Sequence, residues 1–269
     1  MGVGPRLPPC TATPATVVVV VVASVVVVGY VVVPAACVVA AGRPGLIRRL
    51  VEPGRLSASL GLWGAYMPIG TGLAFANYYR GNDNVCLTYF GEGAANQGQV
   101  YESFNMASLW KLPVIYVIEN NHYAMGTHVG RGSARAEELY HRGSVFGIPG
   151  EQVDGMDVAA VKSAGDRAMA GARRGDGPKI LEMLTYRYRG HSMSDPAKYR
   201  TREEVQQFRE QRDPIDLLRS RMLKDGRTSE NDLKEIDREV RARVNEAAEF
   251  AQSDPEPKPS ELSTDVTAT

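Results

Sequence analysis

An acidic residue between two glycines, Gly91-Glu92-Gly93, closes one apolar run of this chain, and a pair of asparagines, Asn120-Asn121, closes the next. A carboxylate and an amide oxygen suit a hard divalent cation. Mg²⁺ takes few protein oxygens and completes its octahedron with water and substrate phosphate. Glycines on either side of Glu92 leave backbone amides open to a diphosphate. That chemistry works only if the two segments end side by side. Residues 85–90 and 114–118 read as buried strands, and residues 99–110 have helical spacing. A strand–helix–strand unit of this size is parallel and right-handed, so both strands open on the same edge of the sheet. In open α/β sheets that carboxyl edge is where ligands bind. The competing reading makes Glu92 a cap for the helix from Gly98 and leaves Asn121 in a turn. Spacing alone leaves the two even.

His191 is the acid–base candidate. It follows a third apolar strand, residues 179–186, on a loop at the same edge, and imidazole is the side chain best suited to proton transfer near neutral pH. The other histidines, His122, His128 and His141, read as structural. Ser192 reads as a loop serine bonding to its own backbone. Cys10, Cys37 and Cys86 show no metal or redox spacing, and Cys86 lies in a buried-strand pattern.

Further elements follow from local signals. A helix begins near Pro68, and residues 80–84 form the turn into the first strand. Residues 122–144 read as a polar excursion with one short helix, and residues 146–153 hold a short strand. Asp157 caps a helix over residues 158–174 that Gly175 stops. Thr201 and Glu204 form a capping-box pattern, Pro214 opens the next helix through Lys224, and Ser229 begins a long charged helix to Gln252.

Composition supplies a core: 43% of residues are hydrophobic, and 31 basic residues balance 31 acidic ones, which gives no basic patch for nucleic acid. Residues 1–53 are low-complexity and valine-rich. Residues 7–42 carry no charge, a length that could span a bilayer. Valine is a poor helix former and Pro34 interrupts the run, which argues against a membrane anchor over residues 17–40. The expected organisation is therefore a non-integrated segment 1–53, an α/β domain 54–252, and a Pro-rich tail 253–269.

Five segments sharpen the reading: Gly91-Glu92-Gly93-Ala94-Ala95-Asn96-Gln97-Gly98, Ser108-Leu109-Trp110-Lys111-Leu112-Pro113, Glu119-Asn120-Asn121-His122-Tyr123-Ala124-Met125-Gly126-Thr127, Val153-Asp154-Gly155-Met156-Asp157, and Tyr186-Arg187-Tyr188-Arg189-Gly190-His191-Ser192-Met193-Ser194-Asp195-Pro196. In this order they resemble the alpha subunits of the pyruvate dehydrogenase decarboxylating component, within the thiamine-diphosphate-dependent 2-oxo acid dehydrogenases. The resemblance covers residues from about Gly61 to about Leu262. It implies a thiamine-diphosphate-binding fold, a parallel sheet with helices on both faces, here incomplete at the amino terminus.

The resemblance also implies the cofactors thiamine diphosphate and Mg²⁺. The metal would be held by Glu92, Asn121 and the Tyr123 carbonyl. Gly91, Glu92, Gly93 and Ala94 would surround the diphosphate, Gly61 and Trp63 the aminopyrimidine, and His191 would assist transfer to lipoamide. The implied substrate is pyruvate. The implied partners are a beta subunit, in an alpha-2 beta-2 heterotetramer, and a dihydrolipoamide acetyltransferase core. The implied compartment is the cytoplasm of a bacterium or the mitochondrial matrix of a eukaryote. Ser192 matches a position phosphorylated in mitochondrial members. Two features depart from the pattern: the family carries Asp where this chain has Glu92, and residues 1–60 contain no counterpart of the family's Tyr-Arg pair that grips the diphosphate. The alternatives are a related 2-oxo acid or acetoin dehydrogenase alpha subunit, and a catalytically impaired or structural paralogue.

Overall fold

The computed structural model describes residues 17–20, 57–58, 66–192, 194–256 and 258–260. Six strands form one wholly parallel sheet: β1 (Val17–Val20), β2 (Ser57–Ala58), β3 (Val85–Gly91), β4 (Val114–Asn120), β7 (Gly150–Asp154) and β8 (Lys179–Leu184), in the spatial order β2-β1-β3-β4-β8-β7. A separate antiparallel ribbon joins β5 (Tyr123–Ala124) to β6 (Thr127–His128). The helices are α1 (Tyr66–Arg80), α2 (Gly98–Leu109), α3 (Val129–Gly132), α4 (Val158–Arg173), α5 (Arg202–Arg212), α6 (Pro214–Lys224) and α7 (Glu230–Ser253).

The sheet is covered on both faces, which is why its central strand reads as an unbroken apolar run. Along β4, Val114, Tyr116 and Ile118 join one core with Phe90, Phe104 of α2 and Met67 and Ala74 of α1. Ile115 and Val117 point the other way into a second core, with Val85, Leu181 and the alanine stripe Ala164, Ala168 and Ala172 of α4. Cys86 lies in the first core, and burial pushes its thiol up to about 12, so it is an unreactive core group.

Most cap signals act as expected. The Asp157 carboxylate accepts the amides of Ala159 and Ala160, and Gly175 takes the left-handed conformation that ends α4. Ser229 and Asp232 complete a reciprocal capping box at α7. At α5 only half of the expected box forms. Thr201 accepts the Glu204 amide, but the Glu204 carboxylate instead accepts the Tyr186 hydroxyl at 2.8 Å.

Two expectations are corrected. Residues 122–144 hold a strand ribbon as well as the short α3, and Leu139–Phe146 is a 3-10 helix. The second correction concerns the valine run. Val17–Val20 pair in parallel with Val85–Thr88 and place β1 inside the sheet. A β-branched segment favours extended backbone, and the open side of β3 offers it a ladder. The remainder of residues 1–56 lies outside the described residues, as do Gly61 and Trp63. Among the described residues no helix is long and apolar enough to cross a membrane.

Candidate functional site

The register of β3 against β4 sets Gly91 beside Glu119, so the two strands finish level. Glu92 follows directly and Asn121 lies one residue beyond β4. Both are buried, and Glu92 is only 2% exposed. Burial raises the Glu92 acid above its ordinary value, while its own amide, the Asn121 amide and the Arg187 charge pull it down. The Glu92 carboxylate and the Asn121 backbone therefore meet at the carboxyl edge. The helix-cap alternative fails: α2 is capped by Gln97, with no side-chain hydrogen bond.

A second carboxylate lies close by. Burial, and next the Glu92 charge, push Glu119 up to about 8, and its Oε2 is buried without a hydrogen-bond partner among the described residues. Two buried acids share this edge, and burial favours their neutral forms until a cation stabilises the charged ones. That donor chemistry fits a divalent cation. No group of three His, Cys, Asp or Glu suited to a metal occurs among the described residues. A cation here would have one or two carboxylate oxygens, neutral oxygens from Asn121 and Tyr123, and outside ligands for the rest, as Mg²⁺ prefers.

The turn after β4 carries these groups. Asn120 Oδ1 accepts the His122 amide at 3.0 Å, and Asn121 Oδ1 accepts the Tyr123 amide at 3.3 Å. His122 and Met125 both have positive φ. Gly93 lets the ribbon approach: a Cβ there would come within 2.7 Å of the Ala124 Cβ. At Gly91 a Cβ would meet nothing within 4 Å among the described residues. Ala94 begins a single 3-10 turn and packs against the first core.

His191 lies on the loop after β8. Its amide donates to Asp195 Oδ2 at 2.7 Å, and its Nδ1 is 3.4 Å from Arg187 Nη1. Arg187 Nη2 also donates to the Met125 carbonyl at 3.0 Å and the Tyr199 hydroxyl at 3.2 Å. Arg187 therefore lies between the Glu92 edge and the His191 loop. Arg200 ties the same parts from beneath: its guanidinium lies 5.8 Å from the Tyr123 ring and 5.3 Å from those of Tyr186 and Tyr199. His128 caps α3 through its Nδ1, the structural role expected for it, and the Ser192 hydroxyl is shared with Ser194 at 3.0 Å.

The structure thus brings together Glu92, Asn121 and Tyr123, and links His191 to them through Arg187. Sequence reasoning assigned no role to Arg187, Arg200 or Glu119. Arg187 stands four residues before His191, on the same loop, and that proximity was the available signal. For Arg200 and Glu119 the signal is only their burial in three dimensions.

A parallel sheet that gathers carboxylate and amide oxygens at its carboxyl edge is a frame of ligand-binding α/β proteins, and the Dehydrogenase E1 component family matches residues 50–260. The chain belongs to that family. It is similar to the pyruvate dehydrogenase E1 component subunit alpha of Rhizobium meliloti (strain 1021), 60% identical over 228 residues, which is 85% of this chain and 65% of that protein. The corresponding subunit of Rickettsia felis is 50% identical over 225 residues, covering 84% and 68%. The human somatic, mitochondrial form is 53% identical over 203 residues, covering 75% and 51%. The chain therefore spans about two thirds of the length of these bacterial relatives and about half of the human one.

Proposed function

We propose that this chain acts as the alpha subunit of a pyruvate dehydrogenase, in oxidative decarboxylation of pyruvate with acetyl transfer to lipoamide. The observation that carries this reading is the meeting of buried Glu92 with Asn121 at level ends of adjacent parallel strands. The family and the names of the relatives give the chemistry its direction. Glu92, the Asn121 side chain and the Tyr123 carbonyl would hold Mg²⁺, which would supply positive charge for the diphosphate of thiamine diphosphate. Gly91, Gly93 and Ala94 would lie along that diphosphate, with Gly93 admitting the β5–β6 ribbon beside it. Gly61 and Trp63, outside the described residues, are assigned to the aminopyrimidine by the resemblance alone. When bound, thiamine diphosphate supplies the carbanion and electron sink. Arg187 offsets negative charge beside Glu92 and orients the loop, and His191 moves a proton to or from the group being transferred.

The domain that does this takes in β1 (Val17–Val20) together with β2 and the elements from α1 to α7. It works with a beta subunit in an alpha-2 beta-2 heterotetramer docked on a dihydrolipoamide acetyltransferase core. Its compartment is the cytoplasm in a bacterium and the mitochondrial matrix in a eukaryote.

The test is co-expression of the full chain with the beta subunit of its source. Calorimetry with thiamine diphosphate and Mg²⁺ then measures binding, and an artificial electron acceptor measures decarboxylation. Metal-dependent cofactor binding that Glu92→Ala removes is the expected result. A complex that forms but binds no cofactor would sink the proposal.

A further inference from the structure

Glu182, in the middle of β8, is fully enclosed, with 0% exposure. Its carboxylate takes three hydrogen bonds, all from neutral donors. Oε1 accepts Asn120 Nδ2 at 2.7 Å, and Oε2 accepts the Tyr140 amide at 3.1 Å and Gln152 Nε2 at 3.2 Å. A carboxylic side chain whose hydrogen-bond donors among the described residues are all neutral is an expensive group to enclose, and a leucine would fill the space without that penalty. What the carboxylate touches indicates what it does.

Asn120 ends β4, and its amide has two ends. Only the NH2 end can donate to Glu182, so the carboxylate fixes which way the amide points. The oxygen end is thereby turned to the His122 amide, which it accepts at 3.0 Å. That bond holds His122 at φ +68 and starts the turn in which Asn121 Oδ1 meets the Tyr123 amide. The hydrogen bonds run from the centre of β8 to the His122 amide, and the backbone on either side of that amide carries Asn121 and Tyr123, which bear the two neutral oxygens assigned to the metal.

We infer that Glu182 is a positioning residue, which fixes the Asn120 amide and through it the turn that presents Asn121 and the Tyr123 carbonyl to the cation. This rests on the proposed metal role of those two groups. Glu182 reaches the site only through Asn120 and touches no reacting atom.

The chemistry provides its own control. Glu182→Gln keeps the shape but replaces one acceptor oxygen by an NH2 that must face an N–H donor, on one side or the other. Asn120→Asp sets two carboxylates against each other. Together the two changes restore the match. The new amide at position 182 donates to the new carboxylate at position 120, and its oxygen still accepts from Tyr140 and Gln152. The carboxylate at position 120 still accepts the His122 amide.

Hydrogen exchange at the His122 and Tyr123 amides, in the full chain without ligand, reads the turn directly. Each single variant is expected to speed that exchange by about tenfold, and the double variant to return it close to the wild-type rate. Calorimetry with Mg²⁺ and thiamine diphosphate, on the complex with the beta subunit, should follow: affinity falls by about tenfold in each single variant and recovers in the double. Unchanged exchange in Glu182→Gln would overturn the inference. So would faster exchange spread evenly over β3 and β4 without recovery in the double variant, because Glu182 would then be only a general core residue. Wild-type chain that binds no cofactor would reject the proposed function, while the exchange rates would still decide whether Glu182 sets the turn.

Discussion

At the scale of single residues, His191 and Glu92 invite separate tests. If His191 delivers a proton to the leaving sulfur, His191→Ala should reduce lipoamide acetylation by roughly 10²–10⁴-fold, with a smaller effect on decarboxylation read by an artificial acceptor. Equal losses in the two assays would make it a positioning group for the loop. Glu92→Asp restores the shorter carboxylate of the resembling alpha subunits and is expected to tighten Mg²⁺-dependent cofactor binding. Calorimetry that shows weaker binding by the Asp form would mean the pocket has adjusted to Glu. Asp195 gives a pH prediction. The amides of His191 and Ala197 and the Tyr199 hydroxyl hold its acid down at about 2, against an ordinary 3.8. A depressed acid contributes its order fully above the unfolded value and loses it as pH falls through the folded one. Proteolysis of the 187–199 loop should therefore be flat with respect to this group from pH 5 to 8, whereas Asp195→Ala should speed cleavage across that whole range. A wild-type loop that loosens between pH 7 and 5 would show that another group controls it.

At the scale of elements, the site depends on where strands stop. β3 and β4 end level because their register pairs Cys86 with Val114 and carries through to Gly91 and Glu119. β1 then supports β3 from its other side. Val19 pairs with Leu87 on one side and Ser57 on the other, so its backbone is interior to the sheet. Proline at that position removes a ladder donor, and Val19→Pro is expected to lower Tm by several degrees. Differential scanning calorimetry is the check: an unchanged Tm would place the valine run outside the stable fold, as the sequence alone suggested. The 187–199 loop is held by a different device, the Arg200 guanidinium against three tyrosine rings. A lysine there would keep the charge and lose the planar stack.

At the scale of the whole molecule, charge and length set the expectations. With 31 basic and 31 acidic residues there is no net field to draw in nucleic acid. The chain should pass through heparin resin at about 0.1 M salt, and retention would point to a basic surface that composition hides. The chain spans 65% of the length of its Rhizobium meliloti relative.

How much of this was legible beforehand differs by element. The sequence determined the strand–helix–strand unit around Glu92 and Asn121, the caps at Asp157 and Ser229, and the placing of His191 on a loop at the ligand edge. These follow from apolar periodicity and short-range hydrogen bonding, which act over a few residues and are written in local spacing. It also carried the ordered segments that resemble the dehydrogenase alpha subunits, whose family the chain matches over residues 50–260. Only the tertiary structure decided that Val17–Val20 enter the sheet, that Glu204 bonds Tyr186 rather than its own helix end, and that Glu119 and Glu182 are enclosed carboxylates with opposite outcomes. Glu119 keeps an oxygen without a partner among the described residues, while Glu182 is fully bonded. The physical reason is the range of the forces. Whether a carboxylate is solvated, paired or stranded depends on donors tens of residues away, such as Tyr140 and Asn120 for Glu182. Those meet only when β4, β7 and β8 stack in register.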